Sequence, residues 1–221
     1  MSQKIKTILT GLLVVVAIAI KLFQDAKGPA ASGDSDYTKR TEIPDLQKGD
    51  DEKQGDYFVL KDCLYLDDRY NDGDSFKIKT RDGRIVEVRA YFVDCAESRD
   101  KDFADHRKRV GQQGDYFGGL DYRTTLELGK DAKSLASSTL KGKKLTIYTS
   151  WEEVYTSGRF YAFIEVPGVG WWHEFLVKKG LARIHTKGAD LPNGTAWRKQ
   201  KSHLQDLEKS AKRSRLGGWG K

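Results

Sequence analysis

The sequence predicts an α+β fold, a small closed antiparallel β-barrel with about three helices packed on it. Three observations carry that prediction. Five short runs alternate apolar and polar residues or are dense in β-branched and aromatic ones, as strands do. Helical spacing appears only between and after these runs. A hairpin signal, Arg81-Asp82-Gly83, joins two of them.

Taken in order, the chain opens on a targeting segment. Lys4 and Lys6 precede "ILTGLLVVVAIAI" (8–20), long enough for the apolar region of a signal peptide and short for an unaided membrane span. Reading on through Lys21, Leu22 and Phe23 extends it to a marginal span, since a terminal lysine can snorkel. No small-residue cleavage pair follows directly, and no Cys, which excludes a lipoprotein. Residues 1–27 therefore read as a signal peptide or membrane anchor, contacting the membrane through residues 5–23 if uncleaved. The expected location is exported: periplasmic or extracellular, or anchored in the cytoplasmic membrane. Residues 28–55 are polar and nearly free of large apolar side chains, so burial cannot offset their ordering entropy, and they read as a flexible linker.

Residues 56–221 read as one globular domain. "YFVLKDCLYL" (57–66), "DSFKIKT" (74–80) and "RIVEVRAYFV" (84–93) are strands, followed by a charged insert over 99–119. In the next stretch Leu128, Ala132, Leu135 and Ala136 recur at helical spacing, with Gly142 just past the end. "KKLTIYTSW" and "RFYAFIEV" are two more strands. "HEFLVKKG" is a short helix leading into an extended "LARIH", and a last helix begins near Thr195, with Trp197, Leu204, Leu207 and Ala211 on one side.

The 221 residues carry a formal charge of +7. Residues 1–27 hold +3 and 194–221 hold +6, leaving −2 for the middle. A basic balance admits an anionic partner without saying which. Within the acidic middle, "NDGDSFKIKTRDGRIVEVRAYFVDCAES" (71–98) places Asp72, Asp74, Asp94 and Glu97 at the two ends of one hairpin, around Arg89. Arg89 and Asp94 are five apart, so strict alternation puts them on opposite faces, and they share a site only if the strand ends or bulges before Asp94. Carboxylates without a His or Cys cluster suit a hard cation such as Ca²⁺ or Mg²⁺. An EF-hand loop is excluded: with Gly73 at its glycine position, Tyr70 and Lys79 fall where acidic ligands belong. Singly, each carboxylate is more often a turn or cap residue than a ligand.

"NDGDSFKI", "VRAYFVDCAES", "SGRFYAFIEV" and "HEFLVKKGLARI" together resemble the staphylococcal (micrococcal) nuclease, or thermonuclease-like, family, from about Phe58 to Trp219. The resemblance implies an OB-type barrel and a Ca²⁺-dependent nuclease acting on DNA and RNA, single-stranded substrate preferred. It also implies attack at the 5′ P–O bond, 3′-phosphate ends and a monomer. Carried over, Asp74, Asp94 and the backbone carbonyl of Cys95 would hold Ca²⁺, with Asp72 beside them. Glu97 would orient or deprotonate the attacking water, and Arg89 and Arg159 would bind phosphate oxygens. The chain departs from the family where a lysine and tyrosine grip the terminal phosphate, having Thr156 and Ser157 there, and where a tyrosine is replaced by Thr186. Tyr155 and Lys187 are the candidate substitutes.

Two other readings stand beside this one: a non-catalytic OB-fold module binding nucleic acid or protein, and a phosphodiesterase acting on a small substrate. His106, His173, His185 and His203 read as surface or capping residues. "WW" (171–172) reads as core or barrel rim, and "KRSR" (212–215) equally as phosphate contact or solvated helix end. A Cys63–Cys95 disulfide is left open, because sequence does not give their separation.

Overall fold

The structure, a computed structural model, describes residues 52–221. The targeting segment and most of the linker lie outside those residues. The last linker residues do not: Glu52–Gln54 form β1, antiparallel to β2 (Tyr57–Tyr65). This exposed polar strand is held by its ladder to β2, with Lys53 4.6 Å from the Phe58 ring centroid, rather than by burial.

The five expected strands close into a barrel. β2, β3 (Ser75–Lys79), β4 (Ile85–Ala90), β7 (Arg159–Val166) and β6 (Lys144–Thr149) follow one another around it, and a β2–β6 pairing joins the ends. Four of the seams are antiparallel and one, β4 to β7, is parallel. β2 serves two neighbours by coiling: its register shifts between Leu60 and Cys63, where Asp62 takes φ 57°. The inward residues Phe76, Ile78, Val88, Leu145, Ile147 and Phe163 fill the interior completely. A two-residue strand, β8 (Gly170–Trp171), adds to β7.

"RIVEVRAYFV" is not one strand. Pairing to β3 and β7 stops at Ala90, Phe92 adopts φ 70°, and Val93–Cys95 begins β5, which pairs with β9 (Ala182–Ile184) in a separate ribbon. An apolar run carries no signal of such a break.

Four α-helices occur among the described residues. The charged insert expected over 99–119 contains one of them, α1 (Ala104–Tyr116). Its buried stripe is His106, Val110, Gln113 and Gly114, helical in spacing and polar in identity, so hydrophobic periodicity misses it. α2 (Tyr122–Leu140) is the expected helix, capped by Asp121, whose carboxylate accepts the Thr124 N–H at 3.0 Å. α3 (Trp172–Lys178) and α4 (Trp197–Arg213) follow, then a short 3₁₀ turn (Gly217–Gly220). On α4, Leu204 and Ala211 face inward as expected, whereas Trp197 is 41% exposed and Gln200 takes a buried place.

Two histidines are not surface residues. His106 is buried, and His173 is wholly enclosed by Phe92, Phe163 and Gln200, whose Nε2 lies 2.9 Å from its Nε2. Burial, with the nearby His203, lowers its pKa to about 3. The unfolded chain binds this proton near the ordinary value of 6.5, and the native one does not. The stability held above pH 6.5 therefore drains away as pH falls, by about 2 kcal/mol at pH 5. Urea unfolding at pH 7 and pH 5 should show that loss, and His173→Phe should flatten it. An unchanged slope in the variant would overturn the assignment.

Candidate active site

The break at Phe92 satisfies the condition that the hairpin's charges impose. With the strand ended at Ala90, Asp94 turns back to Arg89 instead of pointing away from it. Arg89 Nη2 lies 2.6 Å from Asp94 Oδ1, and Nη1 lies 3.3 Å from Asp74 Oδ1 and 3.1 Å from Ser75 Oγ. One guanidinium thus spans carboxylates from the β2–β3 turn and from β5. The second Asp74 oxygen accepts the Cys95 N–H at 2.5 Å.

Each carboxylate reaches this point by a specific device. Trp172 Nε1 donates to the Gly73 carbonyl at 2.8 Å, anchoring the Asp72-Gly73-Asp74 turn from beneath. This fits the core reading of the tryptophan pair for Trp172, which is fully buried. Gly73 is needed there, because a Cβ would stand 2.8 Å from both Cys95 Sγ and Ala132 Cβ. Asp72 sits outside the Arg89 cluster, with its Oδ1 accepting from Ser98 Oγ at 2.5 Å.

Three residues that sequence reading passed over complete the arrangement. Gln113, 1% exposed on α1, donates through Nε2 to Asp94 Oδ2 and to the Cys95 carbonyl, each at 3.0 Å. Its Oε1 accepts the Glu97 N–H at 3.0 Å, so one side chain ties together three of the expected site residues. Arg183 on β9 donates from Nε to Asp94 Oδ2 at 2.8 Å. Arg109 Nη1 lies 2.8 Å from Glu97 Oε1, while His106 Nδ1 stands 3.9 Å from the other oxygen. The only local signal for Gln113 was its helical spacing from Val110.

Electrostatics separates the two aspartates. Burial would raise Asp94, but Arg89, Arg183 and the Gln113 bond hold its pKa below the usual value. Asp74 is pushed up to about 6 by burial, opposed by Arg89 and by the Cys95 N–H bond and aggravated by Asp94 and Asp72. The guanidinium of Arg89 is in turn held more firmly protonated by both aspartates, against the pull of burial. The pair is thus short of positive charge on the Asp74 side. Burial also raises the Cys95 thiol, which rules out a thiolate there, and Cys63 and Cys95 are not bridged.

Arg159 opens β7 level with Glu87, and Tyr161 is level with Arg89 in the same parallel seam. Residues two apart on a strand share a face, so Arg159 stands on Arg89's face, one strand over. Its Nε donates to Ser157 Oγ at 3.1 Å. Tyr155 is 88% exposed in the preceding loop with φ 54°, and Lys187 is ion-paired to Glu152. Both candidate substitutes therefore lie on the β7 flank, but Lys187 must leave Glu152 to meet a phosphate.

A hard cation fits the donors in kind: two carboxylates and the Cys95 carbonyl supply only oxygen. Among the described residues no group of three His, Cys, Asp or Glu side chains is placed to hold a metal.

A family model described as staphylococcal nuclease homologue matches residues 87–221. Arg89, Asp94, Glu97 and Arg159 lie inside the match, and Asp72 and Asp74 precede it. No curated protein matches the chain.

The loop bearing Glu97 lies directly on α2 at Gly129, where a Cβ would stand 2.2 Å from the Glu97 carbonyl and 2.5 Å from that of Ala96. Gly129→Ala gains about 1 kcal/mol of helix propensity. Overpacking against two carbonyls costs about 1–3 kcal/mol, so the net change should be a lower Tm in a thermal melt. A raised Tm would mean that helix and loop are free to separate.

Proposed function

The chain belongs to the staphylococcal nuclease homologue family, and from that premise we propose that it is a Ca²⁺-dependent nuclease hydrolysing DNA and RNA, with single strands preferred. The observation that carries this reading is the Arg89 guanidinium fork lying across Asp74 and Asp94, with Arg159 on the same face of the next strand. A module that only binds nucleic acid has no use for carboxylates facing phosphate.

In this reading Asp74, Asp94 and the Cys95 carbonyl hold Ca²⁺, which when bound supplies Lewis acidity and neutralises phosphate charge. Arg89 exchanges its carboxylate partners for phosphate oxygens, which a planar fork grips in pairs. Arg159 approaches the same phosphate from β7 and stabilises the charge that builds during attack. Glu97 takes the proton of the attacking water. Arg109 fixes one of its oxygens and Gln113 fixes its backbone, while the other oxygen, 3.9 Å from His106 Nδ1, is the one that takes the proton. Arg183 keeps Asp94 ionised and in place when Arg89 moves. Family likeness supports cleavage at the 5′ P–O bond, leaving 3′-phosphate ends.

Location belongs to the same proposal. The apolar run at 8–20 between lysines supports export, with the segment either cleaved or kept as an anchor. Among the described residues no helix is long and apolar enough to cross a membrane. Residues 1–30 fused to a periplasmic reporter should carry it outward, and a reporter retained inside would overturn the export reading.

The deciding assay follows cleavage of single-stranded DNA and RNA by the full chain in Ca²⁺, Mg²⁺ or EGTA. Cleavage should require Ca²⁺, because a loose set of few carboxylates suits the larger ion. Glu97→Gln should lower kcat by roughly 10²–10⁴-fold with little change in affinity. Asp74→Ala should recover part of its activity at high Ca²⁺. Full activity in EGTA would sink the metal assignment. Parental rates in both variants would remove Glu97 and Asp74 from the reaction, and a parent that binds but does not cleave in Ca²⁺ would leave a binding module as the better account.

A further inference from the structure

The turn that delivers Asp72 and Asp74 is preceded by Arg69 and Tyr70, and Ser98, the hydrogen-bond partner of Asp72, is followed by Arg99. These two segments meet around one ring. The Arg69 guanidinium lies 4.6 Å from the Tyr70 centroid and that of Arg99 lies 4.8 Å from it. Arg69 Nη2 also donates to the Tyr70 hydroxyl at 2.5 Å. Tyr70 is 50% exposed. Neither guanidinium has a carboxylate within ion-pair distance among the described residues. Two cations gathered at one open ring repel each other, and an anion arriving between them relieves that repulsion.

The place of this cluster follows from the sheet. Ser75, Arg89 and Tyr161 stand level on β3, β4 and β7. The Asp72 turn therefore flanks Arg89 on the β3 side, and the loop with Thr156, Ser157 and Tyr155 flanks it on the β7 side. A polynucleotide with one phosphate at Arg89 continues past both flanks. The β7 flank has lost the family's lysine–tyrosine clamp, whereas the β3 flank has an aromatic ring with two unneutralised guanidiniums.

We propose that Arg69, Tyr70 and Arg99 form a nucleotide subsite for single-stranded nucleic acid, on the opposite side of the scissile phosphate from Arg159. A guanidinium leaves the Tyr70 ring so that a base stacks in its place, and Arg69 and Arg99 hold the phosphate next to that base. A paired base in a duplex has both faces covered, so the ring selects unpaired strands. The subsite rests on the nuclease reading for its role, but its binding is measurable without cleavage.

The experiment uses the full chain in EGTA and follows the anisotropy of a short fluorescein-labelled oligothymidylate. Tyr70→Leu should raise Kd by about fivefold or more, the usual worth of one stacked base, and Tyr70→Trp should restore it. Arg99→Gln should reduce the slope of log Kd against log salt by about 0.7, the value of one phosphate contact on a single strand. In Ca²⁺ the Tyr70→Leu loss should fall in KM rather than kcat. Parental Kd in Tyr70→Leu, or an equal loss in Tyr70→Trp, would overturn the subsite. A parent that binds the oligomer but cleaves nothing in Ca²⁺ would remove the nuclease reading and leave the subsite to be judged on Kd alone. A parent that binds no oligomer in EGTA overturns the subsite, while its cleavage in Ca²⁺ separately decides the nuclease reading.

Discussion

The site depends on one guanidinium. Arg89 is almost fully enclosed, and it is the point at which the β2–β3 turn, strand β4 and strand β5 meet. Two buried carboxylates cannot stand close together in a low-dielectric interior without a cation between them. Arg89 supplies that cation, and its planar fork sets the spacing of the oxygens it touches. The remaining contacts answer its demands: Arg183 and Gln113 satisfy the far side of Asp94, and the Cys95 N–H satisfies the far side of Asp74. In the proposed function, what holds the carboxylates is also the group that recognises phosphate. Such a site changes partners when it binds instead of gathering new ones.

The barrel was legible because its strands follow the period-2 rule. Val86, Val88 and Ala90 point in while Ile85, Glu87 and Arg89 do not, and Leu145, Ile147 and Thr149 repeat the pattern on β6. Asp74, Arg89, Asp94, Glu97 and Arg159 stood out because they lie in local motifs, and the fold brings Asp74, Arg89 and Asp94 together. The break at Phe92 was not. Tyr91, Phe92 and Val93 are all buried, so an apolar run is the same string whether the strand continues or turns. Parity between Arg89 and Asp94 stated the need for a break without locating it.

The supporting residues were harder to read for a different reason. α1 buries His106 and Gln113 against the loop of Glu97, where their polar groups answer polar groups of the site. A helix whose buried stripe is polar has no hydrophobic signature, and its partners are distant in sequence. Arg183 shows the same limit. "LARIH" reads correctly as extended, but nothing in five residues says that its arginine meets Asp94.

The parallel seam between β4 and β7 has a kinetic consequence. β4 meets β7 only after the chain has made α1, α2 and β6, and the barrel-closing β2–β6 seam likewise waits for α1 and α2. Closing so long a loop is entropically costly and is rewarded only when the pairing forms. Because Arg89 and Arg159 stand on one face of the two strands that this seam joins, the face carrying both guanidiniums should be among the last parts of the molecule to form during folding. A chain with its hairpin and helices in place but this seam unpaired would lack that face.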